Sequence, residues 1–198
     1  CGVTWISTGQ LDGARRRLEH LAEILGPYAV NGIPIIGVEP SCMAVLRGDI
    51  VELLPDDPRA HAIRANTFTL AEVLTGRAPV RPREGWSPPS LADVTAVVQP
   101  HCHQYSVLGF DADRELLATA GAQVTEASGC CGLAGNWGTE RGHYELSVKV
   151  AENSLLPALR AAEPGTVYLA DGVSCRTQAD DLADVQGQHL AQLLAERL

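Results

Sequence analysis

The residues best suited to chemistry in this sequence form the run 128–135, Ser-Gly-Cys-Cys-Gly-Leu-Ala-Gly. The adjacent thiols of Cys130 and Cys131 cannot easily bridge each other, because the torsion that a disulfide requires strains the intervening peptide. As thiolates they can bind neighbouring atoms of one cluster, and the three glycines let the backbone adopt positive φ and approach an inorganic sulfide closely. The alternative is a pair of small buried residues in a tight turn. We interpret the run as a metal or cluster site.

The elements that must position these thiols are strands, and every cysteine in the second half of the chain follows one. Apolar runs predict three strands in this half, at residues 94–98, 123–127 and 166–170. Each strand is followed by a cysteine or a cysteine pair, in the order Cys102, then Cys130 with Cys131, then Cys175. In an open parallel sheet the carboxyl ends of all strands lie at one edge, where such folds bind ligands. We therefore expect these four cysteines to converge.

Helical and strand patterns alternate along the whole chain. Apolar residues at helical spacing predict helices at residues 11–25, 41–53, 58–75, 111–120 and 140–162, and a last one that carries Leu190, Leu193, Leu194 and Leu198. Gly26 and Pro27 are expected to end the first helix, and the β-branched run 33–38 to be a strand covered on both faces. The alternation predicts an α/β fold of two pseudo-repeated parallel-sheet sub-domains flanked by helices, with the cysteines at the carboxyl edge of the strands.

The two halves of the chain carry a weak internal repeat. Cys42 follows Cys1 by 41 positions, and Cys175 follows Cys131 by a similar interval. Each later cysteine is preceded by an apolar strand pattern, an acidic residue and a serine. The repeat predicts a truncated first copy, a Pro-, Gly- and Arg-rich linker or crossover, and a complete second copy, at residues 1–75, 76–91 and 92–198. We expect Cys1 to be the remainder of a first Cys-Cys-Gly turn, in a piece of a longer protein.

Composition excludes several classes of protein. Lys and Arg number 15 against 24 Asp and Glu, so the formal charge of −9 disfavours a nucleic-acid partner. No apolar run is long enough for a transmembrane segment, and no charged-then-apolar leader opens the sequence. Six cysteines clustered in Gly-rich loops favour a reduced metal site over disulfides. The expected location is cytoplasmic, with peripheral association at the membrane as an alternative.

Four segments together resemble a known family. They are residues 32–47 with their Glu-Pro-Ser-Cys, 99–104 with Gln-Pro-His-Cys-His-Gln, 128–135, and 170–176 with Ala-Asp-Gly-Val-Ser-Cys-Arg. They resemble the cysteine-rich CCG domain that is found in the cysteine-rich subunit of heterodisulfide reductase and in the glycolate oxidase iron-sulfur subunit. The resemblance covers nearly the whole chain and is closest to the carboxyl-terminal region of fused FAD-linked oxidases, which are similar to D-lactate and D-2-hydroxyglutarate dehydrogenases.

The resemblance implies an iron–sulfur cluster that passes electrons from a flavin toward an acceptor, and those ligand roles map onto Cys102, Cys130, Cys131 and Cys175. Where the reductase subunit has a terminal Cys-x-x-Cys, this chain has Gly172 and then Cys175, so a four-thiolate [4Fe–4S] cluster is the simpler expectation than a non-cubane one. The FAD would lie in a flavin domain of the same polypeptide or complex. The chain would be the redox domain of a lactate, glycolate or 2-hydroxyglutarate type oxidoreductase, without a substrate or flavin site of its own.

Other ligands and another metal stay open. His101 and His103 flank Cys102 and are candidates for ligands or for hydrogen-bond donors to cluster sulfur, although a loop histidine is often only solvated. Cys1 and Cys42 are expected to approach each other at a pseudo-symmetric site, as further candidate metal ligands. Four thiolates also suit tetrahedral Zn²⁺, so a structural or regulatory zinc module is the alternative function.

Overall fold

The computed structural model describes all residues, 1–198. The chain forms two compact units, the first from Cys1–Pro82 with Ser106–Gly109 and the second from Arg83–Tyr105 with Phe110–Leu198. Each unit contains a parallel β-sheet flanked by helices, which confirms the predicted α/β class. No helix combines the length and the apolar composition needed to cross a lipid bilayer.

The first unit is mostly helical around a two-stranded sheet. Its elements in chain order are α1 (Val3–Ser7), α2 (Leu11–Val30), β1 (Ile35–Gly37), α3 (Pro40–Arg47), α4 (Asp49–Leu53), α5 (Pro58–Ala65), β2 (Thr67–Thr69) and α6 (Leu70–Leu74). Strands β1 and β2 pair in parallel, with Ile36 opposite Phe68. Leu18 of α2, Ile50 of α4 and Ile63 of α5 are fully buried in its core.

Helix α2 is longer than the sequence pattern predicts. The expected end at Gly26 and Pro27 is wrong, because the helix continues to Val30 with the proline inside it. Pro27 lies on the exposed side, where water can solvate the carbonyl that loses its partner. Gly26 is buried against Arg59, and a Cβ there would stand 2.8 Å from the Arg59 Cβ. Close packing of α2 on α5 therefore outweighs the local helix-stop signal.

The predicted helix 58–75 is also wrong, since α5, β2 and α6 occupy that stretch. The run Thr67–Thr69 is β-branched and aromatic, a composition that favours a strand once β1 offers an edge to pair with. Thr69 then starts α6 with a capping box: its hydroxyl accepts the N–H of Glu72, and the Glu72 carboxylate accepts the N–H of Thr69. Tertiary pairing and this cap break the helical pattern in two.

Strand β1 and the helix after it differ from expectation in detail. β1 has three residues, and Ile36 is 45% exposed, so the prediction of a strand covered on both faces is wrong. A sheet of only two strands is too narrow for that cover. The predicted helix 41–53 is two helices, α3 and α4, separated at Gly48. Helix α3 is capped by the Glu39 carboxylate, which accepts the Ser41 N–H and hydroxyl.

The second unit is built on a four-stranded sheet. Its elements are β3 (Thr95–Val98), α7 (Asp111–Ala120), β4 (Gln123–Glu126), a 3₁₀ helix (Trp137–Thr139), α8 (Tyr144–Ala151), α9 (Leu155–Arg160), β5 (Val167–Leu169), α10 (Val173–Ala183), β6 (Gly187–Gln188) and α11 (Leu190–Ala195). A π-helix, Gln104–Leu108, starts in this unit and carries the chain into residues Ser106–Gly109 of the first. All strands are parallel, in the order β4-β3-β5-β6.

Most predicted elements of this unit are confirmed. β3, β4 and β5 lie within the predicted strands, and α7 has the predicted bounds. β6 was not predicted, because Gly187–Gln188 has no apolar pattern. The single helix predicted over residues 140–162 is wrong: α8 ends at Ala151, and the break leaves the Ser154 hydroxyl free to accept the N–H of Ser128 at 2.8 Å. That bond ties the break to the start of the Cys-Cys-Gly loop.

Candidate metal centre

The strand order creates a crevice at one place on the sheet edge. β3 and β5 are neighbours, but the connection after β3 leads through α7 to β4 on one side, while that after β5 leads through α10 to β6 on the other. Adjacent parallel strands whose connections diverge in this way leave a gap at their carboxyl ends, which is where open α/β sheets bind ligands. The topology alone therefore indicates a ligand-binding crevice at the carboxyl ends of β3 and β5.

The four cysteines of the second half lie at this edge. Cys102 stands in the turn after β3 and is exposed, Cys130 and Cys131 lie in the loop after β4, and Cys175 is buried in the first turn of α10. Successive thiols lie close enough to affect each other's pKa. The pairs are Cys102 with Cys130, Cys130 with Cys131, and Cys131 with Cys175. Residues more than seventy positions apart are thus brought together at one sheet edge.

Three of these thiols, those of Cys102, Cys130 and Cys131, resist ionisation without a cation. Although Cys102 is exposed as a residue, its sulfur is partly desolvated, which raises the pKa of the thiol, and the nearby Cys130 raises it further. Interaction with Cys131, followed by burial, raises the pKa of Cys130 strongly. For Cys131 the contact with Cys130 lowers the pKa, but the contact with Cys175 and burial outweigh it and bring the pKa to about 12. A bound metal reverses this preference, because coordination deprotonates a thiol outright.

The Cys-Cys-Gly loop has a backbone that only glycine permits. Gly132 has φ +96°, and a Cβ at that position would overlap the backbone carbonyl of Ser147 in α8. The same residue donates its N–H to the Cys130 sulfur at 3.3 Å. Close approach of the loop to α8 therefore aims a backbone donor at one of the thiols.

A buried glutamine clamps the start of this loop. The side-chain amide of Gln99, at the end of β3, donates to the carbonyl of Gly129 at 2.9 Å and to that of Pro100 at 3.1 Å. Gln99 is 1% exposed, and its Oε1 has no partner. The clamp joins the Cys102 turn to the loop that carries Cys130. The role of Gln99 was not predicted from the sequence, although a polar side chain directly after an apolar strand and before the Pro-His-Cys turn is a usable signal.

A second polar network joins the turns after β3 and β5. Buried Gln104 accepts the backbone N–H of His101 at 2.7 Å and donates to the Asp171 carboxylate at 3.3 Å. Asp171 also accepts the N–H of Leu190 at 3.0 Å and lies 3.4 Å from the ring of His189. The loops that carry Cys102 and Cys175 are thereby held in register. Gln104 and His189 were also missed, because their partners are distant in sequence.

The two histidines beside Cys102 have different environments. One ligand atom each of His101, Cys102 and His103 lie within 4.8 Å of one another. The His101 ring is buried over Gly172, where a Cβ would overlap it, and its Nδ1 accepts the His103 N–H at 3.2 Å. Its Nε2 lies 3.4 Å from the Ser174 hydroxyl. The Nδ1 of His103 is buried and has no hydrogen-bond partner.

The ring of Tyr168 in β5 packs against the buried thiols and excludes water from them. It is 2% exposed, packs in the same apolar cluster as Cys131 and Cys175, and donates its hydroxyl to the Cys175 carbonyl at 3.2 Å. Burial, followed by the charges of Cys175 and Cys131, raises the pKa of this phenol well above its usual range. The phenol therefore stays protonated beside the thiols. No feature of the sequence marked it beyond an aromatic residue in a strand.

The other cysteine pair lies in the first unit. The sulfurs of Cys1 and Cys42 are 2.8 Å apart, so the two residues do approach each other, and burial raises the pKa of Cys42. No further His, Cys, Asp or Glu side chain joins them in a group able to hold a metal ion. The first unit thus brings together two sulfurs where the second brings together four.

The chain is similar in sequence to parts of known dehydrogenases. No model of a known protein family matches it. It is 27% identical over 202 residues to D-2-hydroxyglutarate dehydrogenase of Haemophilus influenzae, which covers 96% of this chain and 19% of that protein. It is 27% identical over 207 residues to one subunit of the anaerobic glycerol-3-phosphate dehydrogenase of Escherichia coli K12, covering 100% of this chain and 49% of that relative. D-2-hydroxyglutarate dehydrogenase of Escherichia coli K12 is 28% identical over 191 residues, covering 95% of the chain and 18% of that protein.

The chain therefore spans about a fifth to a half of the relatives it matches. The two kinds of relative have different names but share a redox function, and one of them is part of a larger enzyme with several subunits. The similarity to each kind of relative extends over nearly the whole chain. A redox role is the broad conclusion that these similarities support.

Proposed function

We propose that the second unit is an iron–sulfur electron-transfer module of a dehydrogenase, with a [4Fe–4S] cluster held by Cys102, Cys130, Cys131 and Cys175. The observation that carries the proposal is the placement of four thiols after the carboxyl ends of three neighbouring parallel strands, β4, β3 and β5. Soft thiolates select iron–sulfur clusters and zinc over hard cations, and four thiolates supply one ligand to each iron of a cubane. Similarity to proteins named as dehydrogenases favours the redox choice.

Bound at this edge, such a cluster would exchange single electrons. The protein contributes a graded environment: Cys131 and Cys175 are buried against Tyr168, whereas Cys102 is exposed. A cluster held there would exchange electrons with a partner on the Cys102 side, because that is where the protein leaves a ligand exposed. The Gly132 N–H and the N-terminus of the 11-residue helix α10 offset negative charge on the thiolates.

The partner that delivers electrons is a FAD-containing flavin domain, in the same polypeptide or in the same complex. That domain would oxidise a 2-hydroxyacid of the lactate, glycolate or 2-hydroxyglutarate type, and a cluster held by the four cysteines would relay the electrons to an acceptor. D-2-hydroxyglutarate dehydrogenases among the relatives support this substrate class, and the relative that is one subunit of glycerol-3-phosphate dehydrogenase supports transfer between separate chains.

A zinc module is the second candidate, favoured by one specific observation. His101, Cys102 and His103 offer ligand atoms within 4.8 Å of one another, and nitrogen with sulfur is a usual donor set for Zn²⁺. In that case Cys102 would bind a single ion with the histidines, and the buried cysteines would be structural.

Anaerobic reconstitution with ferrous iron and sulfide separates the two candidates. The proposal expects a brown protein with broad visible absorption and about four iron and four acid-labile sulfide per chain. Cys175→Ser should lose the colour, because this buried thiol has no substitute, whereas His103→Asn should keep it. A colourless chain with one zinc per chain, lost in His103→Asn and kept in Cys175→Ser, would contradict the iron–sulfur proposal and support the zinc module.

A further inference from the structure

We propose that His103 donates a hydrogen bond from Nδ1–H to sulfur at the Cys102 corner of the cluster and so sets its reduction potential. The inference rests on the proposed function and goes beyond it, because it assigns a tuning role to a residue that need not bind iron. It begins from an unsatisfied atom. His103 Nδ1 is buried and has no hydrogen-bond partner among the protein atoms.

An unpaired buried nitrogen is costly. A buried donor or acceptor without a partner has lost its hydrogen bond to water and gained none in return, so native structures rarely keep one without a reason. The sulfur of Cys102 belongs to the same compact group of ligand atoms, all within 4.8 Å of one another. An iron-bound thiolate or sulfide at this corner would supply the acceptor that His103 Nδ1 lacks, and it would accept more strongly than a thiol because it carries negative charge.

His101 is not the free donor, because its nitrogens already have partners, and the Cys102 sulfur is one of them, at 3.7 Å from Nδ1 and 3.9 Å from Nε2. Its Nδ1 accepts the backbone N–H of His103 at 3.2 Å, and its Nε2 lies 3.4 Å from the Ser174 hydroxyl. Gly172 leaves the room in which the His101 ring lies. The two rings stand 5.1 Å apart at 33°. His101 is thus a positioning residue, which fixes the backbone and the ring of His103 from behind.

His103 acts as a donor and not as an iron ligand because the ligand count is already complete. Cys102, Cys130, Cys131 and Cys175 provide one thiolate for each of four irons. No iron then lacks a ligand. Hydrogen-bond donors near the sulfurs are what would further stabilise the anionic cluster. Donors to cluster sulfur stabilise the reduced, more negative state and raise the reduction potential.

Three variants test the inference on the reconstituted full chain. Asparagine places its side-chain N–H close to the position of histidine Nδ1, glutamine reaches the position of Nε2, and leucine keeps bulk without a donor. His103→Leu should retain iron and sulfide but lower the midpoint potential in an EPR-monitored redox titration. His103→Asn should restore most of the wild-type potential, and His103→Gln should not. His20→Leu, at an exposed helix position in the first unit, is the control and should leave the potential unchanged.

Pulsed EPR on the reduced wild-type chain adds a direct readout. A hydrogen-bonded imidazole gives a weak ¹⁴N coupling that disappears in His103→Leu, while direct ligation gives a strong one and would overturn the inference. An unchanged potential in His103→Leu, or equal potentials in the Asn and Gln variants, would also overturn it while leaving the cluster intact. If the wild-type chain binds no cluster, the proposed function fails, and this inference fails with it.

Discussion

The two units contain the same motif in different completeness. In the first, β1 leads to the cysteine helix α3, then to the parallel partner β2 and to α6, which begins with a capping box. In the second, β5 leads to α10, then to β6 and to α11, which also begins with a capping box. The strand, Ser-Cys turn and returning strand therefore form a scaffold that appears in both units.

The units differ in what has been added to this scaffold. In the second unit β3 and β4 extend the sheet beyond β5, and the loops after them carry Cys102, Cys130 and Cys131. The first unit has no strand on the other side of β1, and only Cys1 joins Cys42. The Ser-Cys turn alone therefore does not gather four thiols. The number of thiols depends on how many strand ends the sheet brings to the same edge.

The largest expected difference between the units is in metal content. Cys131→Ser should abolish cluster incorporation, because three thiolates cannot complete the site, whereas Cys42→Ser should leave iron and acid-labile sulfide nearly unchanged. Both are measured after anaerobic reconstitution. An equal loss of iron in the two variants would mean that all six cysteines serve one site, and the division between the units would be abandoned.

A second difference concerns the glycine after each cysteine. Gly2 and Gly132 both have positive φ, but the nearest atom to a Cβ at Gly2 is 3.6 Å away, whereas a Cβ at Gly132 would overlap the Ser147 carbonyl. Gly132→Ala should lower the free energy of unfolding by roughly 3 kcal/mol or more, and Gly2→Ala by about 1 kcal/mol. Urea unfolding measures the loss in free energy of unfolding for each variant. Hydrogen exchange of the amides in α8 and α1 shows whether each loss is located at the expected helix. Similar losses would show that the second loop relaxes away from α8.

The smallest expected difference lies in the capping boxes. Glu72 caps α6 and also pairs with the largely buried Arg47, while Gln192 only accepts the His189 N–H at 2.8 Å. Glu72→Ala should therefore cost about 2 kcal/mol, because it removes a cap and leaves a buried guanidinium without its carboxylate. Gln192→Ala should cost about 1 kcal/mol. Thermal unfolding at neutral pH measures both, and Glu72→Gln should recover the cap but not the ion pair.

Sequence patterns predicted the features that depend on local periodicity. The strand ends before Cys102, Cys130 and Cys175 were found because apolar runs mark β3, β4 and β5, and parallel pairing then placed them at one edge. The repeat was found for the same reason, since Ser-Cys follows an apolar strand in both units. Where the apolar pattern is short, as in β2 and β6, no strand was predicted.

Features that depend on tertiary contacts could not be predicted in this way. Gln99 and Gln104 have partners at Gly129 and Asp171, which are distant in sequence, so no local pattern distinguishes them from surface glutamines. Helix α2 passes through Pro27 because of packing against α5, which the local stop signal opposes. The burial and the neighbours of each cysteine likewise could not be predicted from the sequence, although the convergence of the cysteines at one sheet edge could.

The strand order has a consequence for the folding of the chain. β5 is placed beside β3, although β4 lies between them along the chain, so the β3–β5 pair closes a loop of roughly seventy residues. Contacts of such long sequence separation form late and slowly. The β3–α7–β4 segment can gather three thiols early, while Cys175 arrives only when β5 docks. On the proposed function, cofactor insertion waits until the ribosome has released β5 and the first turn of α10, so the arrival of Cys175 completes the site.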